Sequence, residues 1–230
     1  MATIASRLQQ VRIRIERACA AAGRSANSVT LLAVSKTCPA ESVREAHAAG
    51  QMRFGENYVQ EALAKIAQLA DLRRTVEWHL IGPLQSNKTR AVAEQFDWVH
   101  SVDRLKLAER LSAQRPPRLG ELQVCLQVNI SAEPSKSGLS PAEVPEVARA
   151  VARLPRLRLR GLMSIPEPAA DFEAQRAPHR ALRALLLALQ GDGLVLDTLS
   201  MGMSVDLEAA IAEGATLVRV GTAIFGERTA

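Results

Sequence analysis

Thr30-Leu-Leu-Ala-Val-Ser-Lys36 is a nearly continuous apolar run closed by a lysine. It lacks the alternation of a strand with one wet face, so it predicts a strand covered by helices on both faces, as in a parallel sheet. Further candidate strands lie at 52–57, 77–82, 97–102, 123–130, 159–165, 198–203 and 217–225, most of them nearly continuous apolar runs. Helical patterns lie between them, with start signals at Pro39, at Ser86, at Asp103 and at Pro141. A further Leu/Ala run at 181–190 is ended by Gly191. Regular strand–helix alternation over eight units predicts an α/β fold, a single (β/α)8 TIM barrel forming one domain over residues 1–230. An open doubly wound sheet is the alternative. Against it, the first strand ends in Ser35-Lys36-Thr37 rather than a Gly-rich turn, and no G-x-G-x-x-G or Walker A motif occurs. Pro116-Pro117 and 166–171 read as loops within the barrel, and no second domain is expected.

Ahead of the first strand, Ile4, Leu8, Val11 and Ile15 recur at helical spacing. They predict an extra packed N-terminal helix rather than the transit peptide that Arg7, Arg12 and Arg14 would imitate. Apolar residues make up 47% and charged residues 23%, which excludes a disordered chain. No apolar run approaches the roughly 18 residues of a membrane span. Aromatics at 3% demand an aliphatic core and weaken any RNA-stacking platform. Cys19, Cys38 and Cys125 have neither metal nor disulfide spacing. They predict a reducing compartment, a cytoplasmic protein and no metal. The net charge is +5, but its arginines are dispersed and read as solvated surface, with no nucleic-acid footprint. Only five of the 29 basic residues are lysines, so a lysine at a strand end stands out.

A parallel barrel works at the C-terminal ends of its strands. There Lys36 is expected to lose hydration, which lowers an amine's pKa and favours the neutral form that attacks a carbonyl to give a Schiff base. Its bland alternative is a snorkelling strand-end lysine. Ser204 and Gly221-Thr222 follow the last two strands, where barrels hold phosphates. Ser204 reads as a phosphate donor or as a plain N-cap of the helix at 206–212, and Asp206 there points away or repels a phosphate. Arg219 lies inside an apolar strand on the same face as Gly221 and needs a partner, either a carboxylate such as Glu56 or a ligand acceptor. A Schiff-base lysine, a phosphate cradle and a buried arginine together suggest pyridoxal 5′-phosphate (PLP), with Arg219 donating to its ring nitrogen. A guanidinium cannot hand that nitrogen a proton, which leaves the ring a poorer electron sink.

Leu31-Leu-Ala-Val-Ser-Lys-Thr37, Phe54-Gly-Glu-Asn-Tyr-Val-Gln-Glu61, Trp78-His-Leu-Ile-Gly-Pro-Leu-Gln-Ser-Asn-Lys88, Ser200-Met-Gly-Met-Ser204 and Val218-Arg-Val-Gly-Thr-Ala-Ile-Phe-Gly226 resemble the PLP homeostasis protein family, also called the YggS/PROSC family. Ser135-Lys-Ser-Gly138 and Gly161-Leu-Met-Ser-Ile-Pro166 continue the match over nearly the whole chain. The resemblance implies an alanine-racemase-like PLP barrel without the second domain. Lys36 then matches the PLP lysine, Ser204, Gly221 and Thr222 the phosphate contacts, Arg219 the ring-nitrogen contact, and Asn57 a residue lining the pocket. Cys38 stands where relatives are expected to carry another lysine, and Lys136 matches a lysine of a secondary site. The implied function is to hold and supply PLP, with effects on amino-acid and keto-acid balance and with apo PLP-dependent enzymes as candidate recipients. No residue is assigned a catalytic role. Racemases of this barrel type bring a tyrosine from an added domain of a partner subunit, and the one tyrosine here, Tyr58, follows the second strand. A monomer is therefore expected. The alternatives are a racemase-like enzyme using Lys36 as a single base, a Schiff-base aldolase without PLP, and, last, a nucleic-acid module.

Overall fold

The computed structural model describes residues 2–131 and 137–226. Its strands are β1 (Thr30–Val34), β2 (Arg53–Glu56), β3 (Glu77–Leu80), β4 (Trp98–Val102), β5 (Leu122–Gln127), β6 (Leu157–Met163), β7 (Thr198–Ser200) and β8 (Leu217–Val220). They close in sequence order into a parallel barrel, with Thr30 to Ala33 of β1 paired to Leu217 to Val220 of β8. The helices are α1 (Ile4–Ala21), α2 (Ala40–Ala48), α3 (Val59–Gln68), α4 (Thr89–Gln95), α5 (Leu105–Gln114), α6 (Val144–Val151), α7 (Phe172–Gly191), α8 (Leu207–Ala212) and α9 (Thr222–Phe225). The predicted (β/α)8 architecture and its extra first helix are both present. Helix α1 buries Leu8, Val11 and Ile15 and packs along α2, α8 and α9.

The aliphatic core lies between the outer face of the barrel and the helices, with Ala33, Phe54, Val99 and Val124 from the strands and Val43, Ala62, Leu107 and Ala148 from α2, α3, α5 and α6. Alternate strand residues form smaller clusters apart from it, Leu32 and Val34 with Ile81 and Leu217, and Trp98 with Cys125 and Met163. No helix among the described residues is long and apolar enough to cross a membrane.

Several predicted boundaries shift, each for a local reason. The eighth strand stops at Val220, because Gly221 leaves the extended region (φ −116°, ψ −77°) and 222–225 is a helical turn. The seventh stops at Ser200, and Gly202 then turns the chain at φ +91°, where an added Cβ would meet Ala210 Cβ at 2.5 Å. Asp103 does not cap α5. Arg104 holds that position, and Asp103 is ion-paired to it at 2.7 Å. The stretch after Pro141 stays a turn until Val144, with Glu143 accepting from the Ser140 N–H and hydroxyl. Helix α7 begins at Phe172 rather than 181, capped by Asp171 onto the Ala174 N–H at 2.8 Å. Pro178 lies inside it and gives the sequence a false stop signal.

Candidate functional site

A cavity of about 350 Å³ opens at the C-terminal ends of the strands. Lys36, Asn57, Ser204, Arg219, Gly221 and Thr222 all line it, so the structure brings together the six residues singled out in the sequence. The sequence reading missed the apolar part of the lining: Val34, Ile81, Ile165, Met203 and Val205. For four of them a signal was available, since Val34, Ile81, Ile165 and Met203 stand within three residues of a strand end, whereas Val205 lies five residues beyond β7.

Lys36 is half-buried in a turn that leaves β1, closed by the Cys38 N–H on the Ser35 carbonyl (3.0 Å). Thr37, next to it, has φ +60°, a left-handed conformation that a β-branched residue adopts only when its surroundings enforce it. Here a buried brace does so. Lys65 of α3, 4% exposed, donates to the Ser35 carbonyl (2.7 Å), Glu56 Oε1 (2.7 Å) and Glu61 Oε1 (2.8 Å). Glu56 Oε1 also accepts from the Ser35 hydroxyl (2.6 Å), and Glu61 Oε1 from the Thr37 N–H (2.5 Å). Both neighbours of Lys36 are thus tied to one network. Burial pushes the Glu56 carboxyl up, against the pull of Lys65 and Ser35. Lys65 was not singled out in the sequence; it stands four residues after Glu61, a spacing common to ordinary helical ion pairs.

Of the two partners open to Arg219, the carboxylate of Glu56 is not the one used, because Lys65 takes Glu56. Arg219, 4% exposed, instead donates Nη1 to the Ser200 carbonyl (2.6 Å) and hydroxyl (2.8 Å), and Nη2 to the Ser164 carbonyl (2.8 Å). Desolvation pushes its pKa down to about 10, with the charge of Asp206 opposing, so it stays protonated at neutral pH. Its acceptors fix the plane of the guanidinium while its edge still lines the cavity.

Ser204 does not cap α8, since Asp206 occupies that position. The Ser204 carbonyl accepts from Arg14 of α1 (2.8 Å), which also forks onto Glu208 (2.5 and 2.6 Å). The extra helix thus holds the Ser204 loop from outside. Asp206 is no threat to a bound phosphate. Its Oδ1 accepts the Met203 N–H (2.6 Å), its Oδ2 meets His179 Nε2 (3.0 Å), and it does not line the cavity. Burial raises its pKa, but these bonds outweigh that and leave it below the usual carboxylate value. Opposite, Gly221 is buried and Thr222 exposed at the start of α9, where the first N–H groups have no acceptor within the helix. Asn57 is held by close packing, since a Cβ on Gly82 would fall 2.2 Å from the Asn57 carbonyl oxygen. Its own Oδ1 is buried without a hydrogen-bond partner.

Tyr58 is 56% exposed and lies outside the cavity lining. Cys38 is half-buried with Sγ 3.6 Å from the Lys36 carbonyl oxygen. Lys136 lies outside the described residues. No group of three or more His, Cys, Asp or Glu side chains able to hold a metal occurs among the described residues.

Fold and site define a parallel barrel with a lysine in its strand-end cavity, of the type described as the alanine racemase N-terminal domain, whose family model matches residues 7–229. A pyridoxal phosphate homeostasis protein of Pseudomonas aeruginosa is 64% identical over 228 residues, covering 99% of this chain and 97% of the relative. Another of that name from Escherichia coli is 55% identical, with 99% and 98% covered. The structure of PipY of Synechococcus elongatus with PLP bound superposes with a TM-score of 0.85 at 42% identity, covering 97% of this chain and all of PipY. An alanine racemase of Clostridium difficile, 11% identical with a TM-score of 0.75, shares the fold over 57% of its length. The chain belongs to the pyridoxal phosphate homeostasis protein family.

Proposed function

We propose that this chain binds PLP in the strand-end cavity and acts in PLP homeostasis, buffering or supplying the cofactor, as one barrel domain over residues 1–230. The observation that carries the reading is the convergence of Lys36, Arg219, Ser204 and Gly221-Thr222 on one cavity. The residues fit the group. The volume of about 350 Å³ lies at the lower end of the roughly 300–1,000 Å³ of small-molecule sites. Asn57 Oδ1, buried and unpartnered, is an acceptor awaiting a donor. The relatives named for PLP homeostasis and PipY described with PLP bound support the same ligand. When bound, PLP would supply an aldehyde for a Schiff base with the Lys36 amine.

The chain's own residues then divide the work. Arg219, held by three acceptors, would offer its remaining N–H edge to the ring nitrogen and keep its proton, which suits holding the cofactor better than carbanion chemistry. Ser204 and the first N–H groups of α9 would hold the phosphate, and Val34, Ile81 and Ile165 give the cavity an apolar wall. Delivery to apo PLP-dependent enzymes, a monomeric state, a cytoplasmic location and the lack of nucleic-acid or membrane partners belong to this reading.

The test is spectroscopic. Purified protein mixed with PLP is expected to absorb visible light and, after borohydride reduction, to carry the added mass. Lys36→Ala is expected to lose the reduced adduct. Protein that stays colourless with added PLP overturns the reading. Turnover of any amino acid in a panel at ordinary enzymatic rates would replace the carrier with a racemase-like enzyme.

A further inference from the structure

The barrel interior carries a second polar system that the cofactor reading leaves unused. At the opposite mouth a hollow of about 600 Å³ is lined by Arg53, Glu77, His79, Arg158 and Arg160, among others. From it a line of hydrogen bonds runs through the barrel to the PLP cavity. Glu77 Oε1 meets His79 Nε2 at 2.7 Å, and His79 Nδ1 meets His100 Nε2 at 2.8 Å. His100 Nδ1 then meets Ser200 Oγ at 2.8 Å, and Ser200 Oγ accepts from Arg219. His79, His100 and Ser200 are all 0% exposed. At the lower end Trp98 stacks on His79 at 5.2 Å and 9°, and Arg160 lies over the Trp98 ring at 4.8 Å.

The proton order in this line follows from either end. A guanidinium can only donate. Among the described residues Ser200 Oγ has two partners, Arg219 and His100. It accepts from the first, so its single proton goes to His100 Nδ1, and a neutral His100 then carries its own proton on Nε2 and gives it to His79 Nδ1. His79 in turn is protonated on Nε2 and donates to Glu77. From the other end, an ionised Glu77 can only accept, which demands the same His79 tautomer and so the same order back to Arg219. Any reversal leaves a buried hydroxyl hydrogen or a buried nitrogen unpaired, with its lost hydration offset by no bond. Both rings are held neutral by desolvation.

We propose that His79 and His100 are positioning residues, locked as Nε2–H tautomers in a one-way hydrogen-bond chain that ties Arg219 in the PLP cavity to the carboxylate of Glu77 at the opposite mouth. The chain holds Ser200 as an acceptor for Arg219, and so holds the guanidinium edge where a ring nitrogen would meet it. A change of charge at the far mouth is thereby felt at the cofactor site. The consequence for the ring rests on the PLP reading above. The chain itself stands in the protein without ligand.

The test uses the full chain without added PLP. With four histidines in the sequence, their imidazole nitrogens are assignable by 15N NMR. His79 and His100 are expected to show a protonated Nε2 and a bare Nδ1 at neutral pH. In Glu77→Met the His100 nitrogens and the Arg219 guanidinium signals are expected to shift, although Glu77 touches neither. A protonated Nδ1 on His100 overturns the proposal, and so does a perturbation that ends at His79. Glu77→Gln, which keeps an acceptor oxygen, is expected to restore the wild-type tautomers and covers the case of a poorly folded Glu77→Met. None of these readouts involves PLP, so a colourless protein would leave the chain intact and a failed chain would leave PLP binding intact.

Discussion

At the scale of single residues, the site rests on close approaches that admit one side chain. Gly82 is the case at the cavity, because its hydrogen faces the Asn57 backbone at a distance no Cβ tolerates. Gly82→Ala must push the exit of β2 aside. It is expected to cost about 1–3 kcal/mol, seen as a lower urea midpoint at unchanged m-value. Displacing Asn57 is expected to weaken PLP binding by roughly tenfold, the worth of one hydrogen bond. A variant of unchanged stability with full affinity would show that Gly82 does not set Asn57. Lys36 and Arg219 were legible in the sequence because a charge inside an apolar run is costly and so calls for an explanation. Lys65 was not. On α3 it stands four residues after Glu61, a spacing that also describes an ordinary exposed pair, and only the fold reveals that Glu56 and Ser35 enclose it.

Elements matter here chiefly through how α3 braces the exit of β1. Glu56 is buried and its charge is balanced by Lys65, with side-chain exposures of 0% and 5%. Lys65→Met is expected to strand that carboxylate and destabilise the protein by about 3–5 kcal/mol. Adding Glu56→Gln to Lys65→Met should return part of the loss, giving a coupling of about 0.5–3 kcal/mol in a double-mutant cycle read by urea unfolding. Strictly additive effects would mean that the two side chains do not act as a pair. The same comparison shows which elements a sequence discloses. Most of the eight strands were legible because two-faced burial writes a nearly continuous apolar run, although Arg53 interrupts β2 and Arg158 and Arg160 interrupt β6. Their ends were not, because Ser35-Lys36, Gly202 and Gly221 leave the sheet through backbone torsions that hydrophobicity does not record. Helix starts at Asp103 and Pro141 failed for a related reason: a residue able to cap or to open a helix was present, but the local turn used it otherwise.

For the molecule as a whole, a closed barrel encloses polar groups that no solvent can recharge cheaply, and this shapes its response to acid. His79 and His100 have pKa values lowered by desolvation. A base of that kind takes up its proton first in the unfolded chain, so its stabilising share is complete above the unfolded value of about 6.5 and drains away as pH falls below it. Each histidine adds a slope of up to about 1.4 kcal/mol per pH unit in that range. Glu77, Asp197, Asp206, Glu208 and Glu213 are shifted downward. In Glu208 the bond to Arg14 leads, and in the others hydrogen bonds and nearby cations outweigh burial. Their share is intact above the unfolded carboxylate value of about 4 and is lost as pH falls through the lower folded values. Glu56, raised by burial, acts in the opposite sense and returns some stability as the pH drops through its folded value. The expected profile is therefore a decline in two stages, shallow from about 6.5 and steep below about 4. Urea unfolding at intervals from pH 8 to pH 3.5 measures it. Stability that stays flat between pH 6.5 and 5 would mean that the two barrel histidines share no proton deficit with their unfolded forms, and the neutral pair inside the barrel would have to be abandoned.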